Sequence, residues 1–435
     1  MKKRLVPILL IFALVVSICG CAGTNGGSRT VANLEDYCIV YPEDAVALEQ
    51  QSALYLSGYI LEKTGYTLTV TDDSTKEADY EILIGDTNRS KSKAAAKLEY
   101  AEDELLIKAD GKKIVLYGRD LMIAGAAGQF ANQYVNDGGE LEVPADGQPV
   151  QYQTADAKNV ILMIGDGMGD AHISLAQSKG MEVFAAHLLP NHGYLKTDSL
   201  SGTTESAAAG TALSSGYKTR NGYIGMDGDG KARPNIREVA YELGYKTAIV
   251  TTDAIHGATP AAFAAHVDSR DKTDEIIAQM SQLLENGQLD YLVGTSDNPM
   301  DYAVVEALKE VSADSEGFFV MIEEAYIDKR AHEKNLEKVS SCVKRFNDSV
   351  AYVIAFTMAH PGTVLIVTAD HETGGIYQND EGDFIFGCGD HTPADVPIYA
   401  FGAGTENFHK NTLDNTEVAI FMGKIFGVEN LAEKR

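Results

Sequence analysis

Cysteine and basic residues are scarce in this sequence of 435 residues. Two of its five cysteines lie within the first 21 residues, so three thiols remain for the rest of the chain and permit at most one internal disulfide. A disulfide-stabilised fold is thereby excluded. Acidic residues number 63 and basic residues 36, which gives a formal net charge of −27. Such a surface repels nucleic acids and anionic membrane surfaces, so we expect no nucleic-acid partner. Any phosphate site would need local positive charge from metal ions or arginine.

The apolar stretch near the start of the chain is too short to cross a membrane. It runs from Leu5 to Ile18, fewer than the ~20 residues that a spanning helix needs, and it comes after three basic residues. This arrangement is typical of an export signal. The stretch ends in "ICGC", which resembles a bacterial lipobox and implies cleavage before Cys21 and acylation of its thiol. An ordinary cleaved signal peptide is the alternative.

Cleavage at that point divides the start of the chain into a signal peptide over residues 1–20 and a tether over residues 21–29. It would remove three basic residues and no acidic one, which changes the formal net charge from −27 to −30. We therefore expect a mature protein that a lipid anchors to the membrane of the bacterial cell envelope, outside the cytoplasm.

Residues 30–150 are predicted to form a separate, small α+β domain. Apolar and amphipathic segments indicate the order β-α-β-β-β-β-α. They are "DYCIVYP", "DAVALEQQSALYLSGYILEKTG", "YTLTVTDD", "YEILIGDT", "ELLIKAD", "KIVLYG" and "DLMIAGAAGQFANQYV". This pattern, with "YEILIGDTNR", resembles the small α/β domains that precede catalytic domains in some bacterial polysaccharide-degrading enzymes. The resemblance implies an accessory domain that binds carbohydrate or positions the second domain, and a plain spacer is the alternative.

The hydrophobic pattern of the sequence changes at Asn159, where continuous apolar runs begin to alternate with helical patterns. The runs are "NVILMIGD", "KTAIVTTD", "LDYLVGT", "GFFVMIEE", "TVLIVTAD" and "VPIYAFG". Runs without polar alternation are typical of strands that are buried on both faces. Residues 158–435 are therefore predicted to form a three-layer α/β/α sandwich around a largely parallel sheet. The polar stretch "ADGQPVQYQTADAK" is the predicted linker before it.

Acidic residues end four of these runs: Asp166, Asp253, Glu323 with Glu324, and Asp370. Ligands of open α/β sheets bind beyond the carboxyl ends of the strands, and carboxylates clustered there cannot all ionise without cations. An all-oxygen group such as Asp166, Glu323 and a threonine hydroxyl suits Mg²⁺. The pattern therefore predicts a metal centre at this edge of the sheet.

Histidines add nitrogen ligands to the same edge. Asp328 and His332 are four residues apart and would project from one face of a helical turn. Asp370 and His371 are adjacent at a strand end, and His391 lies further along the chain in "GDHTP". Groups of three nitrogen and carboxylate ligands with an open position suit Zn²⁺. Each histidine alone would be read as a structural hydrogen-bonding group, but their joint placement favours metal binding.

The segment "GTTESAAAGTALSSG", residues 202–216, leads from a polar cluster into small residues. Small side chains let other groups approach the backbone closely. A serine just ahead of a helix presents its hydroxyl where backbone N–H groups favour an anion. Ser206 is therefore a candidate nucleophile or anion ligand, and the alternative is a helix N-cap.

Six motifs together give a specific resemblance. They are "NVILMIGDGMGD", "TTESAAAGTAL", "GATPAAFAAHVDSR", "EEAYIDKRAH", "TADHETGG" and "GDHTPADVPIYAFG". They occur in the order found in alkaline phosphatases and cover essentially all of residues 158–435. The resemblance implies hydrolysis of small phosphomonoesters through a phosphoserine intermediate, with two Zn²⁺ ions and one Mg²⁺ ion as cofactors. The sequence leaves open whether the protein forms a homodimer.

The resemblance also implies a role for each matching residue. Ser206 would accept the phosphoryl group, and Arg270 would grip it with a planar fork that binds two oxygens at once. The metal ligands fall into three sets: Asp328, His332 and His391 for one zinc; Asp166, Asp370 and His371 for the other; and Asp166, Thr259 and Glu323 for magnesium.

Three features depart from the family pattern. Glu205 stands where aspartate commonly precedes the nucleophile, which could alter how Arg270 is held. Gly257 stands where aspartate or histidine is frequent, so a contact near the phosphate is lost there. The short spacing from Arg270 to Glu323 implies that an inserted surface subdomain is missing.

Two other functions compete with phosphomonoester hydrolysis. One is hydrolysis of phosphodiesters or sulfate esters on the same kind of sheet, although Arg270 favours a terminal phosphoryl group and no Cys-x-Pro-x-Arg sulfatase motif is present. The other is a lipoprotein that binds glycan or phosphate and has lost catalysis. The complete ligand set argues against that loss.

Overall fold

The computed structural model describes residues 29–294, 300–313, 315–429 and 431, in two units that each contain one large β-sheet. The elements of the first unit are β1 (Arg29–Asn33), β2 (Cys38–Tyr41), α1 (Ala47–Thr64), β3 (Val70–Asp72), β4 (Glu81–Ile84), α2 (Ser90–Ala95), β5 (Glu104–Asp110), β6 (Lys113–Gly118), α3 (Leu121–Tyr134), β7 (Glu140–Pro144) and β8 (Val150–Gln151).

The second unit carries the remaining elements. Its strands are β9 (Asn159–Gly165), β10 (Asn191–Lys196), β11 (Lys246–Thr251), β12 (Tyr291–Gly294), β13 (Phe318–Glu324), β14 (Thr363–Thr368), β15 (Glu372–Thr373), β16 (Ile376–Gln378), β17 (Phe384–Phe386), β18 (His391–Thr392), β19 (Val396–Phe401) and β20 (Thr412–Asp414). Its helices are α4 (Asp170–Ser178), α5 (Ser206–Ser215), α6 (Ile236–Glu242), α7 (Ala258–Ala262), α8 (Thr273–Glu285), α9 (Met300–Ser312), α10 (Tyr326–His332), α11 (Leu336–Ala359) and α12 (Thr416–Ile425).

The first unit is built on a six-stranded sheet with the strand order β3-β2-β4-β6-β5-β8. Strands β3, β2, β4 and β6 are parallel, whereas β5 pairs antiparallel with β6 and β8. All five strands and both helices that the sequence predicts here are present. Helix α2, strand β8 and the β1–β7 ribbon were not predicted. Periodicity is a weak signal in such short elements.

The second unit is an eight-stranded, largely parallel sheet with the order β12-β11-β13-β9-β14-β19-β10-β20. Its first five strands run parallel, and β19 pairs antiparallel with both β14 and β10. All six apolar runs predicted as strands are strands. Helices α4, α9 and α11 pack together in one layer, and α5, α6, α7 and α12 pack together in the other. The prediction of a three-layer α/β/α sandwich is therefore confirmed.

The strand order brings the predicted acidic residues together. Strands β13, β9 and β14 are adjacent and parallel, so their carboxyl ends meet at one edge of the sheet. Glu323 lies at the end of β13, Asp166 comes directly after β9, and Asp370 lies two residues after β14. The candidate site is thus placed by the centre of the sheet.

The two units share one continuous apolar core, in which α1 and α3 of the first unit pack on α11 of the second. The approach is close, because a Cβ built on Gly128 would lie 2.6 Å from the Cα of Ala359. The Tyr152 hydroxyl donates a hydrogen bond to the carbonyl oxygen of Met358 at 3.0 Å. Across the described ranges, none of the helices combines the length and the apolar character that spanning a bilayer requires.

Candidate active site

Three buried side chains, Asp166, Asp370 and His371, form a candidate metal group that we name the inner triad. Asp370 Oδ1 accepts hydrogen bonds from the backbone N–H groups of Gly167 at 3.1 Å and of His371 at 2.9 Å. The other oxygen, Oδ2, lies 3.2 Å from His371 Nε2, and Asp166 Oδ1 lies 3.7 Å from the same nitrogen. Three ligand atoms from two neighbouring strand ends therefore converge.

A second group, the outer triad, consists of Asp328, His332 and His391. Helix α10 places Asp328 and His332 one turn apart, and Asp328 Oδ1 lies 3.2 Å from His332 Nε2 and 3.5 Å from His391 Nε2. The Nδ1 atoms of the two rings hydrogen-bond to the carbonyl oxygens of Gly389 at 2.9 Å and Thr204 at 3.0 Å, so each Nδ1 carries a proton. In neutral rings the two Nε2 lone pairs, only 3.1 Å apart, would repel each other unless a cation lay between them.

The electrostatics of both triads fit bound cations. Burial and the neighbouring carboxylates, Asp370 first among them, raise the pKa of Asp166 well above its usual range. In the part of the chain that the structure describes, Asp166 Oδ1 and Asp370 Oδ2 are buried without a hydrogen-bond partner. Burying an unpaired acceptor is costly. A hydrogen bond to Asp328 raises the pKa of His332 to about 9, so a proton competes with a cation in the outer triad.

Ser206 is the first residue of α5 and lies against the inner triad. Its Oγ lies 3.3 Å from His371 Nε2 and 3.5 Å from Asp166 Oδ2. The His371 ring stacks on His391 with 3.9 Å between the ring centroids. The residue that caps the helix is Glu205, so the alternative in which Ser206 is the N-cap is wrong. The hydroxyl instead lies where the positive end of the helix dipole favours an oxyanion.

Glu205 performs two tasks beside Ser206. Its carboxylate accepts hydrogen bonds from two backbone N–H groups in the first turn of α5 at 3.0 and 2.9 Å, and from Gly222 N–H at 2.8 Å. Burial raises its pKa, but these backbone donors outweigh burial and hold the pKa of Glu205 below its usual range. Its Oε2 also accepts from Arg270 Nη1 at 2.5 Å. Glu205 thus holds the guanidinium of Arg270 near Ser206, despite being one methylene longer than aspartate.

The predicted all-oxygen group lies next to the inner triad. Glu323 is fully buried, and burial, with the charges of Asp253 and Asp370, raises its pKa to about 7. One of its oxygens accepts a hydrogen bond from Thr251 Oγ1. Thr259, a residue of α7, lies beside Glu323. Its buried Oγ1 has no hydrogen-bond partner of normal geometry among the described residues. Together with Asp166, these oxygens form a candidate site for a hard cation.

The chain matches a known protein family. The family model described as alkaline phosphatase matches residues 157–298 and 283–389, more than half of the chain. The chain belongs to the alkaline phosphatase family. It is therefore an alkaline phosphatase-type hydrolase, and the family match leaves the first unit, residues 29–156, uncovered.

Relatives in sequence and structure agree with this assignment. Alkaline phosphatase 3 of Bacillus subtilis is 27% identical over 350 residues, which cover 64% of this chain and 76% of that protein. The alkaline phosphatase of Escherichia coli is 42% identical over 125 residues, 26% of either chain. The structure of alkaline phosphatase from the Antarctic bacterium TAB5 has a TM-score of 0.59 and 28% identity, and covers 63% of this chain and 99% of that one. A mutant of that enzyme has been solved with Mg bound in the M3 site.

The structure brings Ser206, Arg270 and the eight predicted ligands into one site, and the roles of these residues stay predictions. Cys21 lies outside the described residues. Thr373 was not predicted from the sequence; its hydroxyl donates to Asp328 Oδ1 at 2.5 Å and lies 3.2 Å from His371 Nδ1. Because its one proton goes to Asp328, Thr373 accepts from His371 Nδ1–H and leaves His371 Nε2 free to bind a cation. Its position in "TADHETGG" was the available signal.

Proposed function

We propose that this chain hydrolyses phosphomonoesters through a phosphoserine intermediate on Ser206. The observation that carries the proposal is the position of Ser206 Oγ, 3.3 Å from His371 of the inner triad, whose ring stacks on His391 of the outer triad. A phosphoryl group on Ser206 would therefore lie between two cation sites. Arg270, held by Glu205, would bind its peripheral oxygens.

The reaction has two steps. Ser206 Oγ forms a bond to phosphorus while the ester P–O bond breaks and the alcohol leaves. Water then attacks the phosphoserine, the P–Oγ bond breaks, and inorganic phosphate is released. The N-terminus of α5 would favour the Ser206 oxyanion. Asp166, whose Oδ2 lies 3.5 Å from Ser206 Oγ, would hold a cation that favours loss of the serine proton, which the leaving alcohol takes up.

We assign Zn²⁺ to each triad and Mg²⁺ to Asp166, Thr259 and Glu323. Mixed nitrogen and carboxylate donors suit zinc, and an all-oxygen set suits magnesium. The unpaired buried oxygens of Asp166, Asp370 and Thr259 support cations at these places, as does the Mg bound in the M3 site of the TAB5 mutant. Bound ions would offset negative charge on the attacking and leaving oxygens and favour ionisation of the hydrolytic water.

A substrate panel tests the proposal. Protein loaded with zinc and magnesium is given an aryl phosphate, an aryl phosphodiester and an aryl sulfate. We expect the aryl phosphate to be turned over fastest, with inhibition by inorganic phosphate. An acid quench should trap phosphate on Ser206, with Ser206→Ala as the control. Faster turnover of the diester or the sulfate would favour the competing hydrolase, and metal binding without turnover would favour the decayed lipoprotein.

Two further proposals, on the lipid anchor and on the role of the first unit, rest on the sequence. We propose that Cys21 carries a lipid that holds the protein at the bacterial envelope, and that the first unit is an accessory domain, with carbohydrate as its candidate ligand. Replacement Cys21→Ser should leave export intact and abolish membrane retention. Retention of that variant would point to another anchor, and the absence of binding to a panel of soluble polysaccharides would leave the first unit a structural role.

A further inference from the structure

Asp253 and Lys329 form an ion pair at the edge of the candidate magnesium group. Asp253 lies two residues after β11, and its Oδ1 accepts a hydrogen bond from Lys329 Nζ. The backbone N–H of Asp253 donates to Thr251 Oγ1 at 2.9 Å, and Thr251 in turn donates to Glu323. Lys329 is the residue after Asp328 of the outer triad on α10. The pair is therefore tied to both the magnesium group and the outer triad.

The other oxygen of Asp253 occupies the space of a side chain at position 257. A Cβ built on Gly257 would lie 2.7 Å from Asp253 Oδ2 and 3.1 Å from the carbonyl oxygen of Ala254. The backbone of Gly257 has φ −52° and ψ 151°, a conformation that any residue adopts. Backbone conformation therefore does not explain the glycine, whereas contact with Asp253 does.

We propose that Asp253 is a positioning residue whose carboxylate holds the Lys329 ammonium group beside the candidate magnesium group. This carboxylate lies in the space that an aspartate side chain at position 257 would fill. Asp253 and position 257 are then alternative sources of one carboxylate. The Tyr326 ring, with its centroid 4.9 Å from Lys329 Nζ, further limits where the ammonium group can lie. The held positive charge favours an anionic substrate at an edge that is rich in carboxylates. This inference rests on the proposed function and concerns the same site.

A simple surface ion pair is the competing explanation. The side chains of Lys329 and Asp253 are 38% and 26% exposed, and exposed pairs contribute little to stability. Such a pair would have no effect on substrate affinity and would not be exchangeable with position 257. Both properties can be measured.

The first test is a double-mutant cycle in the metal-loaded protein. We expect Asp253→Ala and Lys329→Ala each to lower kcat/KM for an aryl phosphate, and to weaken inhibition by inorganic phosphate, by about tenfold, the scale of one charge-assisted hydrogen bond. The double variant should be no worse than either single one, because the two residues act as a unit. Asp79→Ala, which breaks the Lys112 pair of the first unit at 2.8 Å, is the control and should change neither quantity.

The second test moves the carboxylate. Gly257→Asp alone should impair activity because its side chain meets Asp253. Combined with Asp253→Ala, it should recover activity to within about threefold of the wild type, since the Asp253 carboxylate no longer fills that space and only the carbonyl oxygen of Ala254 stays close. Without substrate, the increase in Tm on adding Mg²⁺ and inorganic phosphate should fall in Asp253→Ala and return in the combined variant.

Two results would overturn the inference. One is a double variant of Asp253 and Lys329 whose loss of kcat/KM equals the product of the two single losses. The other is a variant with both Gly257→Asp and Asp253→Ala that is no more active than Asp253→Ala alone. If Gly257→Asp alone fails to fold, the cycle between Asp253 and Lys329 decides. A wild-type protein that turns over no phosphate ester would contradict the proposed function instead. In that case the Tm measurements, which need no turnover, still test the pair.

Discussion

The inner and outer triads hold the same kinds of ligand in different surroundings. In the inner triad, two carboxylates and one histidine are buried, and Asp370 and His371 are completely inaccessible. In the outer triad, one carboxylate stands with two histidines, and the His332 side chain is 37% exposed. The inner triad lies at the ends of central strands, whereas α10 and the two-residue strand β18 supply the outer one. The greater negative charge is therefore on the less accessible ligands.

This difference predicts different behaviour of the two sites. Buried carboxylates without a cation are costly, so a cation in the inner triad should be part of what stabilises the fold. The outer triad can meet water and substrate, and its histidines can also be protonated, so a cation there should exchange more readily.

Replacing Ser206 should have the largest effect. Ser206→Ala removes the oxygen that lies against the inner triad but none of the ligands, so we expect kcat to fall at least about 10³-fold while metal content is unchanged. Steady-state kinetics and metal analysis of the same sample measure both. Near-normal turnover would remove Ser206 from the mechanism.

The second largest effects should come from replacing a ligand in each triad, and the two replacements should differ in their effects on Tm and on activity. We expect Asp370→Asn to lose bound metal and to lower Tm, because its oxygen lies in the core. His332→Gln should lose activity by about 100-fold or more with little change in Tm, and excess Zn²⁺ should partly restore its activity. Equal Tm losses in the two variants would contradict the comparison.

Chelation should show the same order in the wild-type protein. Brief exposure to a chelator should release metal in two phases, the faster one with loss of activity and the slower one with loss of Tm. Zinc and magnesium should restore both. Full activity after exhaustive dialysis, with no metal bound, would contradict the metal assignment.

Arg270 should have a smaller effect, since in the proposed reaction it would bind the phosphoryl group and it belongs to neither triad. Arg270→Ala should slow hydrolysis of an aryl phosphate by about 10- to 100-fold, and that of a diester less, because a diester offers fewer charged terminal oxygens. Glu205→Gln, which keeps the shape but weakens the hold on Arg270, should give a milder loss that falls mainly on KM. Equal losses on both esters would argue against a monoesterase.

The smallest effect on activity is expected at the interface of the two units. Tyr152→Phe removes one buried hydrogen bond to α11 and should lower stability by about 1 kcal/mol while leaving kcat unchanged. Denaturant unfolding and turnover of an aryl phosphate test this. A clear fall in kcat would mean that the first unit supports the geometry of the site.

The sequence predicted the strands of the sheet and the residue types at its carboxyl edge because both depend on local signals. Apolar runs without polar alternation identify strands buried on both faces, and the i,i+4 spacing of Asp328 and His332 fixes one face of a helical turn. Thr373 was not predicted, and the link between Glu205 and Arg270 came only from the family resemblance. Glu205 and Arg270 are 65 residues apart, and only the packing of α5 against the segment after α7 brings them together.

The neighbouring acids Glu323 and Glu324 show what the local sequence cannot predict. Glu323 and Glu324 both end the same apolar run, but successive side chains of a strand point to opposite faces. Glu323 belongs to the candidate magnesium group, whereas a carboxylate oxygen of Glu324 lies 2.6 Å from Arg345 Nη2 of α11 in an ion pair. The sequence by itself determined that acids collect at the strand ends. Which of them can share a cation, and that Asp253 fills the space beside Gly257, was decided by the tertiary structure, because only the packed sheet sets the face and distance of each carboxylate.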